Sequence, residues 1–439
     1  MTQTGPEQRS VAFITMGCAK NEVDSDHMGE RLQRAGYSIS DDPETADVVV
    51  VNTCSFIQAA TEESIDAILE VAGYASVSEG RAHLVVAGCM PARYGDDLAQ
   101  ELPEAGAFVP CADETTIVNV VDELLGIERM PGSDIAVEAR PVVDRVSAYV
   151  KISDGCDRFC AYCTIPYIRG RYHSFELSDI MSEIERVASR GAREIVLIAQ
   201  DTGRWGTDLN VPSSLAELVG TVADAYPNLW FRVMYIQPEG ITDELIKAVS
   251  EHANVCKYFD IPFQHSNGRI LKSMNRSGSG SEYLDLLARI RAAIPDVTLR
   301  TTLIAGYPGE TEDDFEELKD FVEAADLDYI GVFPYSREEG TRAYDLDGQI
   351  DEDEKLSRAQ EIRDLADAVC APRIASRVGR EVDVLVCGQE EDGQLFGRAM
   401  CQAPDVDGVT YIDAGEPGEV VRVRLEDSLM YELEGTVVS

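Results

Sequence analysis

The chain has 439 residues and a formal net charge of −42, from 38 basic and 80 acidic residues. This length predicts about two to four domains, each able to bury a hydrophobic core. The charge excludes non-specific coating of nucleic acid, because the chain as a whole repels polyanions.

The N-terminus is polar, and no apolar run approaches the roughly 18 residues that a membrane span requires. The chain contains 11 cysteines. An odd number of cysteines, clustered at ligand spacing, suits a reducing compartment and metal binding better than a disulfide framework. We therefore expect a soluble cytoplasmic protein.

The N-terminal part, for which we predict domain limits of 9–125, alternates apolar runs with helical patterns. Buried parallel strands are predicted at 11–15, 47–51 and 83–87. Helices are predicted at 24–35 and 62–72, and each is followed by a capping glycine. The pattern indicates an α/β domain with a parallel sheet.

A cysteine follows each of these three strands within a few residues: Cys18, Cys54 and Cys89. Ligands of an open parallel sheet collect beyond the carboxyl ends of its strands, so these thiols are predicted to meet at one edge and to share a metal cluster. The alternative is three buried free cysteines, since Cys packs as a small hydrophobe. Cys111 has no such partner in the pattern and is interpreted as incidental.

A connector at 126–145 leads to a second α/β series, with predicted domain limits of 142–370. Six predicted strands alternate with five predicted helices, and a long polar helix at 351–370 follows. The strands are at 146–151, 194–199, 229–234, 255–260, 297–304 and 329–333, and the helices are at 177–190, 213–225, 242–252, 281–293 and 311–325. Six βα units predict a partial barrel.

Three cysteines in the loop after the first of these strands have C-x3-C-x2-C spacing: Cys156, Cys160 and Cys163. Thiolates ligate iron–sulfur clusters, and three of them leave one iron of a four-iron cluster open for chemistry. A structural zinc site would need a fourth ligand at short spacing, and the nearest histidine, His173, is ten residues beyond Cys163. The spacing favours iron–sulfur over zinc.

Other polar and glycine residues follow later strands, at the carboxyl ends where barrel enzymes build active sites: Gln200, Gln264 and Gly306. Glycine there would let the backbone approach a ligand closely. His265 by itself is more typical of a structural hydrogen-bonding histidine than of a catalyst.

From Arg373 onward, five short strands are predicted within fewer than 70 residues, which indicates a small antiparallel β-barrel at 373–439. This segment has six arginines, no lysine and fourteen acidic residues, a net charge of −8. Its charge makes it a poor RNA-binding surface. Cys387 and Cys401 in this segment are interpreted as simple core or surface residues.

With Tyr162 before the third cysteine, the central motif reads C-x3-C-x-aromatic-C, which resembles the signature of the radical S-adenosylmethionine (SAM) superfamily. The C-terminal segment resembles the TRAM β-barrel of RNA-modifying enzymes. In domain order and in motifs, nearly the whole chain resembles the radical SAM methylthiotransferase family. One branch of that family modifies an adenosine of tRNA, and another modifies an aspartate of small-subunit ribosomal protein S-twelve.

Three motifs favour the ribosomal-protein branch: GCAKNEVDS at 17–25, IAQDTGRWGTD at 198–208 and DIPFQHSNGRILKSMNRSGS at 260–279. The tRNA branch typically has PVQSGS where this chain has PFQHSN. Ala19 departs from the family's usual proline, and FRVMY at 231–235 lacks its usual histidine. The tRNA enzyme remains the alternative.

The resemblance implies SAM and two 4Fe-4S clusters. Cys156, Cys160 and Cys163 would support radical generation and Cys18, Cys54 and Cys89 would hold a second cluster, while SAM would contact Tyr162, Gln200, Gln264 and Gly306. The product would be 3-methylthioaspartate. The implied partners are the basic S-twelve protein, an electron donor and a sulfur donor, without strong nucleic-acid binding. An electron-transfer protein is disfavoured, because ferredoxin-like proteins supply four thiolates per cluster.

Overall fold

The computed structural model describes residues 9–129 and 146–438. They fall into two compact units: 9–129 with Cys163–Arg171, and 146–162 with 172–438. The predicted connector lies mostly outside the described residues, as does the start of the predicted second domain. Within the described stretches, no helix combines the length and apolar character that crossing a bilayer would need.

The first unit is built on a five-stranded parallel sheet in the order β2-β1-β3-β4-β5. Its strands are β1 (Ser10–Thr15), β2 (Ser38–Ser40), β3 (Val48–Thr53), β4 (His83–Gly88) and β5 (Ala107–Pro110). Its helices are α1 (Ala19–Arg34), α2 (Gln58–Gly73), α3 (Ala75–Ser78), α4 (Cys89–Tyr94), α5 (Leu98–Glu101) and α6 (Ile117–Leu125). The predicted parallel sheet is confirmed. The short edge strands β2 and β5 were not predicted, because each is too short to show a buried apolar run.

Helices cover both faces of this sheet, because successive side chains of a strand point to opposite sides. Val48 and Val50 pack into one hydrophobic cluster with Leu32 of α1. Val49 and Val51 pack into another with Ile68 of α2. All six residues of β3 are buried, which explains why that strand reads as a continuous apolar run.

Helix α1 begins earlier than its apolar pattern predicted. It starts at Ala19, directly after Cys18, whereas the prediction began at residue 24. Lys20, Asn21 and Glu22 make the first turn polar, so hydrophobic periodicity does not reveal it. The early start places Cys18 at the N-terminal boundary of the helix.

The barrel of the second unit has six parallel strands. They form two three-stranded sheets, in the orders β10-β9-β6 and β11-β12-β13. A parallel bridge between Phe231 and Val255 joins the two sheets. The strands of this region are β6 (Ser147–Lys151), β7 (Ser153–Asp154), β8 (His173–Ser174), β9 (Glu194–Ile198), β10 (Trp230–Val233), β11 (Tyr258–Asp260), β12 (Thr298–Ala305) and β13 (Tyr329–Pro334). This is the predicted partial (β/α)6 barrel.

Helices connect these strands, and all six helices predicted in this region are present with shifts of one or two residues at most ends. They are α8 (Leu177–Ser189), α9 (Leu215–Ala225), α10 (Asp243–Glu251), α12 (Gly280–Ala293), α13 (Glu312–Ala325) and α14 (Glu352–Ala375). Two short helices were not predicted: α7 (Ile165–Ile168), which belongs to the first unit, and α11 (Gly268–Ser273). Helix α14 continues past Arg373, where the third domain was predicted to begin. The three domain limits remain a prediction.

The C-terminal strands close into a barrel in the order β14-β15-β16-β18-β17, with β17 paired to β14. They are β14 (Glu381–Gln389), β15 (Leu395–Ala399), β16 (Thr410–Ile412), β17 (Val420–Leu429) and β18 (Glu432–Val437). All five correspond to predicted strands, so the small-barrel prediction is confirmed.

A buried ionic network fixes this small barrel to the larger one. Glu194 of β9 accepts hydrogen bonds from Arg398 of β15 at 2.6 Å and from Arg232 of β10 at 2.8 Å. Arg232 also donates to the carbonyl of Met400 at 3.0 Å. Because these side chains are almost completely buried, the position of the small barrel depends on the charges being paired.

Candidate functional site

Cys18, Cys54 and Cys89 lie just past the carboxyl ends of β1, β3 and β4, as predicted. Gly17 has φ +89°, and a Cβ added there would lie 2.8 Å from the Cys54 sulfur. The turn that carries Cys18 therefore packs directly on Cys54. Cys54 and Cys89 are buried, whereas Cys18 is exposed, so this group of thiols opens to solvent on one side.

Polar side chains surround the Cys89 sulfur. Arg169 donates to Asp24 at 2.8 Å and to Asn21 Oδ1 at 2.9 Å, and its Nη2 lies 3.9 Å from Cys89 Sγ. Asn21 in turn donates to the carbonyls of Met16 and Thr53, each at 2.9 Å. This network fixes the cysteine-bearing loops relative to one another.

Arg169 comes from the segment Cys163–Arg171, which belongs to the first unit rather than to the barrel that precedes and follows it. Thr164 of this segment also donates to the carbonyl of Phe56 at 3.1 Å. Sequence reasoning did not identify Arg169, because a single arginine six residues after Cys163 carries no pattern.

Cys111 was interpreted as incidental and without a partner, and that interpretation is wrong. β4 and β5 are in register with Gly88 opposite Pro110, so the next residues, Cys89 and Cys111, follow neighbouring strand ends. The two thiols are close enough to influence each other's pKa. Cys111 was misinterpreted because β5 was not predicted. Its four residues, AFVP, are too few to indicate a strand.

The local environment gives these thiols different pKa values. Burial raises the pKa of Cys54 to about 12. The hydrogen bond from Cys111 lowers the pKa of Cys89 to about 7, against the opposing effect of burial and with help from the Arg169 charge. The same contact raises the pKa of Cys111. Cys89 is therefore the member of this pair that becomes a thiolate first.

In the second unit, Cys156 and Cys160 lie on a loop anchored by an ion pair. Arg158, between the two cysteines, donates to the fully buried Asp201 at 2.6 Å and to Glu239 at 3.1 Å. Asp201 is one of the strand-end residues that the sequence pointed to. Burial raises the pKa of Cys156 to about 11, so its thiolate needs a compensating positive centre.

Backbone contacts hold the same loop from the other side. Asn275 donates to the carbonyls of Arg158 at 2.8 Å and Phe159 at 3.1 Å. Ala161 donates to the carbonyl of Met274 and accepts from the Ala343 amide. Tyr162 packs against a hydrophobic cluster that includes Met274. These contacts hold the loop from the side opposite the Arg158–Asp201 pair.

Arg276 is a further residue that sequence reasoning missed. Its side chain is almost fully buried, it donates to the carbonyl of Pro262 at 2.5 Å, and it interacts electrostatically with Tyr162 and Cys160. A buried guanidinium close to this loop is suited to bind a carboxylate. Its location four residues after Lys272 in KSMNR gives no signal without the fold.

The residues predicted to contact SAM have different surroundings in the structure. Both side-chain polar atoms of Gln200 are buried without a hydrogen-bond partner, which leaves them available to a ligand. Gln264 has φ +72° and pairs through its backbone with β12. At Gly306 the space for a Cβ is occupied by Lys355, at 2.5 Å, so packing alone requires glycine there. Roles of these residues in binding SAM remain predictions.

His265 has a structural environment, in agreement with its interpretation from sequence. Its Nδ1 accepts hydrogen bonds from the amides of Ser266 and Asn267, each at 3.0 Å. Its Nε2 lies 3.3 Å from Glu310, and both side chains are fully buried. With Nδ1 accepting, Nε2 carries the proton and donates to the carboxylate.

The donor atoms at these positions fit iron–sulfur clusters better than a single ion. Among residues 9–129 and 146–438, no three Cys, His, Asp or Glu side chains are placed to hold one metal ion. A four-iron cluster spreads its thiolates over several irons, and thiolates alone are its usual protein ligands. Because Gly17 has no Cβ, the turn that carries Cys18 can approach Cys54 closely, which is consistent with thiols gathered around one group.

Models of known families match three parts of the chain. The uncharacterized protein family UPF0004 matches residues 10–110, the radical SAM superfamily matches 150–322, and the TRAM domain matches 378–438. Among solved structures, the radical SAM methyltransferase TsrM from Kitasatospora setae has a TM-score of 0.53 at 15% identity, covering 75% of this chain and 76% of that one. This similarity supports the fold.

Curated relatives match almost the full length. "Ribosomal protein uS12 methylthiotransferase RimO" of Symbiobacterium thermophilum is 42% identical over 97% of this chain and 90% of that protein. The protein of the same name from Acetivibrio thermocellus is 41% identical over 98% and 99% of the two chains. The Geobacter sulfurreducens protein of that name is also 41% identical, with the same coverage. The chain therefore belongs to the family of ribosomal protein uS12 methylthiotransferases, within the radical SAM superfamily.

Proposed function

We propose that this enzyme inserts a methylthio group at the β-carbon of an aspartate of ribosomal protein uS12, giving 3-methylthioaspartate. The family relationship supports the substrate, and the family uses SAM and 4Fe-4S clusters. The observation that carries the proposal is the placement of Cys18, Cys54 and Cys89 at one edge of the N-terminal sheet. This arrangement provides a second thiolate set, separate in sequence from the SAM-type motif.

Cys156, Cys160 and Cys163 would hold the cluster that binds SAM. When bound, that cluster and SAM supply a 5'-deoxyadenosyl radical. The protein positions the cysteine loop through the Arg158–Asp201 ion pair and the Asn275 hydrogen bonds. Arg276 would bind the SAM carboxylate and Gln200 would hydrogen-bond to SAM, since its polar atoms lack protein partners.

Cys18, Cys54 and Cys89 would hold the second cluster, which would supply a thiophilic site for the methylthio sulfur. The buried Cys54 and Cys89 would exclude water from one side of that site, while the exposed Cys18 would lie on the side open to sulfur and substrate. Arg169 and Asn21 orient Cys89 by direct contact with its sulfur.

The reaction needs two metal centres because it has two separate chemical steps: removal of a hydrogen atom and insertion of sulfur. The β C–H bond of an aspartate is too weakly acidic for the side-chain bases of a protein, so a radical must remove its hydrogen. The sulfur that replaces this hydrogen needs a separate thiophilic site. Three thiolates per cluster leave one iron open for each purpose.

The acidic surface of the enzyme supports a basic protein substrate. The C-terminal barrel carries a net charge of −8 within a chain of −42, so it would attract a basic ribosomal protein and repel tRNA. An electron donor and a sulfur donor complete the proposed partners. Since its substrate is a ribosomal protein, we place the enzyme in the cytoplasm.

Mass spectrometry of uS12 and tRNA from a deletion strain tests the proposal. The peptide with the target aspartate should lose the methylthio mass in the deletion strain and regain it when the wild-type gene returns. A complementing gene with Cys18, Cys54 and Cys89 changed to alanine should not restore it. Unmodified tRNA adenosine in the deletion strain, with uS12 unaffected, would instead establish the tRNA alternative.

A further inference from the structure

Cys111 is a fourth thiol at the edge of the N-terminal sheet, beyond the three that the proposed function uses. It begins a short 3-10 turn directly after β5, while Cys89 begins α4 directly after β4. The parallel register, with Gly88 opposite Pro110, makes Cys89 and Cys111 the first pair of residues past two neighbouring strands. The two thiols are also close enough to influence each other's pKa.

The parallel register is compatible with a disulfide between Cys89 and Cys111. Neighbouring strands lie about 4.8 Å apart, and a disulfide spans Cα atoms separated by about 4.4–6.8 Å. Cys111 is partly exposed and its thiol also contacts the carbonyl of Ile168 at 3.5 Å, whereas Cys89 is 4% exposed. An oxidant from solvent therefore has access to this pair through the partly exposed Cys111.

We propose that Cys89 and Cys111 form a reversible disulfide when the second cluster is absent, and that this disulfide blocks loading of that cluster. A low-molecular-weight disulfide would first form a mixed disulfide with one of the two cysteines, releasing one thiol. The sulfur of the other cysteine would then attack this mixed disulfide and release the second thiol. The two protein thiols are oxidised, and the small disulfide is reduced to two thiols.

The bond would remove one of the three thiolates of the second cluster and leave the central motif intact. A thiol reductant would reverse it. The oxidised enzyme would then hold the cluster that activates SAM without the centre that receives sulfur. The disulfide itself is independent of the proposed function, but its effect on iron loading rests on Cys89 being a cluster ligand.

The first test uses the full-length chain after chelation of iron, equilibrated with oxidised or reduced glutathione and then alkylated. We expect oxidised glutathione to protect both Cys89 and Cys111 from alkylation. The disulfide-linked pair of peptides should weigh about 2 Da less than the two reduced peptides together. Cys111→Ser should leave Cys89 open to alkylation, while the control Cys387→Ser should behave like wild type. Circular dichroism confirms that each variant is folded. Continued alkylation of both cysteines, or pairing of Cys89 with Cys54, would overturn the inference.

The second test reconstitutes the same samples anaerobically without a thiol reductant. Oxidised wild type should bind about four irons and reduced wild type about eight, whereas oxidised Cys111→Ser should bind about eight. A disulfide that forms without reducing iron uptake would instead count against Cys89 as a ligand, and hence against that part of the proposed function.

Discussion

The guanidinium of Arg169 donates to the carboxylate of Asp24 across 2.8 Å, and each side chain is only 2% exposed. This buried pair connects the segment that starts at Cys163 to α1, the helix that starts beside Cys18. It also places positive charge next to the Cys89 sulfur. One ion pair thus supports residues from both of the cysteine sets.

Removing one partner of this pair should destabilise the first unit. Arg169→Gln removes the guanidinium from the buried Asp24 carboxylate, and breaking a buried ion pair in this way costs about 3–5 kcal/mol. Hydrogen exchange should show lost protection in α1. The double variant Asp24→Asn with Arg169→Gln removes both charges and should recover most of the protection. Equal losses in the single and double variants would mean that charge pairing is not the reason for the effect.

Iron content should divide evenly between the two cysteine sets. Anaerobically reconstituted wild type should bind about eight irons, and the variant with Cys156, Cys160 and Cys163 changed to alanine about four. Iron analysis and electron paramagnetic resonance measure this directly. A wild-type content near four, or zinc in place of iron, would rule out two clusters.

The second cysteine set should be required for sulfur insertion but not for SAM cleavage. With Cys18, Cys54 and Cys89 changed to alanine, reductive cleavage of SAM should continue while methylthiolated peptide is lost. Chromatography of 5'-deoxyadenosine and mass spectrometry of the peptide separate the two activities. Methylthiolated product from this variant would contradict the assignment.

Glu194 should make the stability of the second unit depend on acid pH. Burial alone would raise the pKa of Glu194, but Arg232 and Arg398 outweigh it and hold that pKa at about 2, below its ordinary value of 4.5. The depressed pKa stabilises the folded state above pH 4.5, and this contribution is lost as the pH falls from 4.5 toward 2. This contribution of Glu194 to the free energy of unfolding is about 3 kcal/mol.

Unfolding measured across this pH range tests the effect. In Glu194→Gln, the free energy of unfolding should depend less on pH below 4.5. It should also be lower than in wild type at pH 7, because two buried arginines lose their counter-charge. Glu323→Gln, an exposed change on α13, is the matched control and should leave the curve as in wild type. A Glu194→Gln curve that keeps the wild-type slope would show that this carboxylate does not cause it.

Acidic residues of the small barrel should promote uS12 binding. Among the acids of this barrel, Glu416 and Glu419 are exposed, but the Asp407 side chain is buried. The Asp407 carboxylate is buried and accepts hydrogen bonds from Tyr258 at 2.7 Å and the Ala403 amide at 2.8 Å. Asp405 accepts a hydrogen bond from Tyr149 at 2.6 Å. The test therefore uses Glu416 and Glu419.

Changing Glu416 and Glu419 to lysine should weaken uS12 binding and reduce its salt dependence, because exposed charges act through a screened field. Asp320→Lys with Glu323→Lys makes the same charge change on α13 and should have a smaller effect. Fluorescence anisotropy with labelled uS12 measures both variants over a salt series. Equal effects would show that net charge, rather than the barrel surface, attracts the substrate.

The sequence determined the features that depend on local pattern. The runs at 47–51 and 83–87 identify buried strands because both of their faces are covered, and the C-x3-C-x2-C spacing predicts a set of cluster ligands. Cys18, Cys54 and Cys89 could be grouped because the ends of parallel strands share an edge. Full-length motif similarity then indicated the family.

Tertiary structure decided what depends on neighbours distant in sequence. Arg169 contacts Asp24 across 145 positions, and Arg398 contacts Glu194 across 204, separations at which no sequence pattern operates. Asp407 looks like any exposed loop acid until the barrel packs it against Tyr258. Cys111 looks solitary because β5 is too short to predict, and only the register of β4 and β5 brings it to Cys89. Burial and pairing at these positions arise from packing of separate elements, which local composition does not encode.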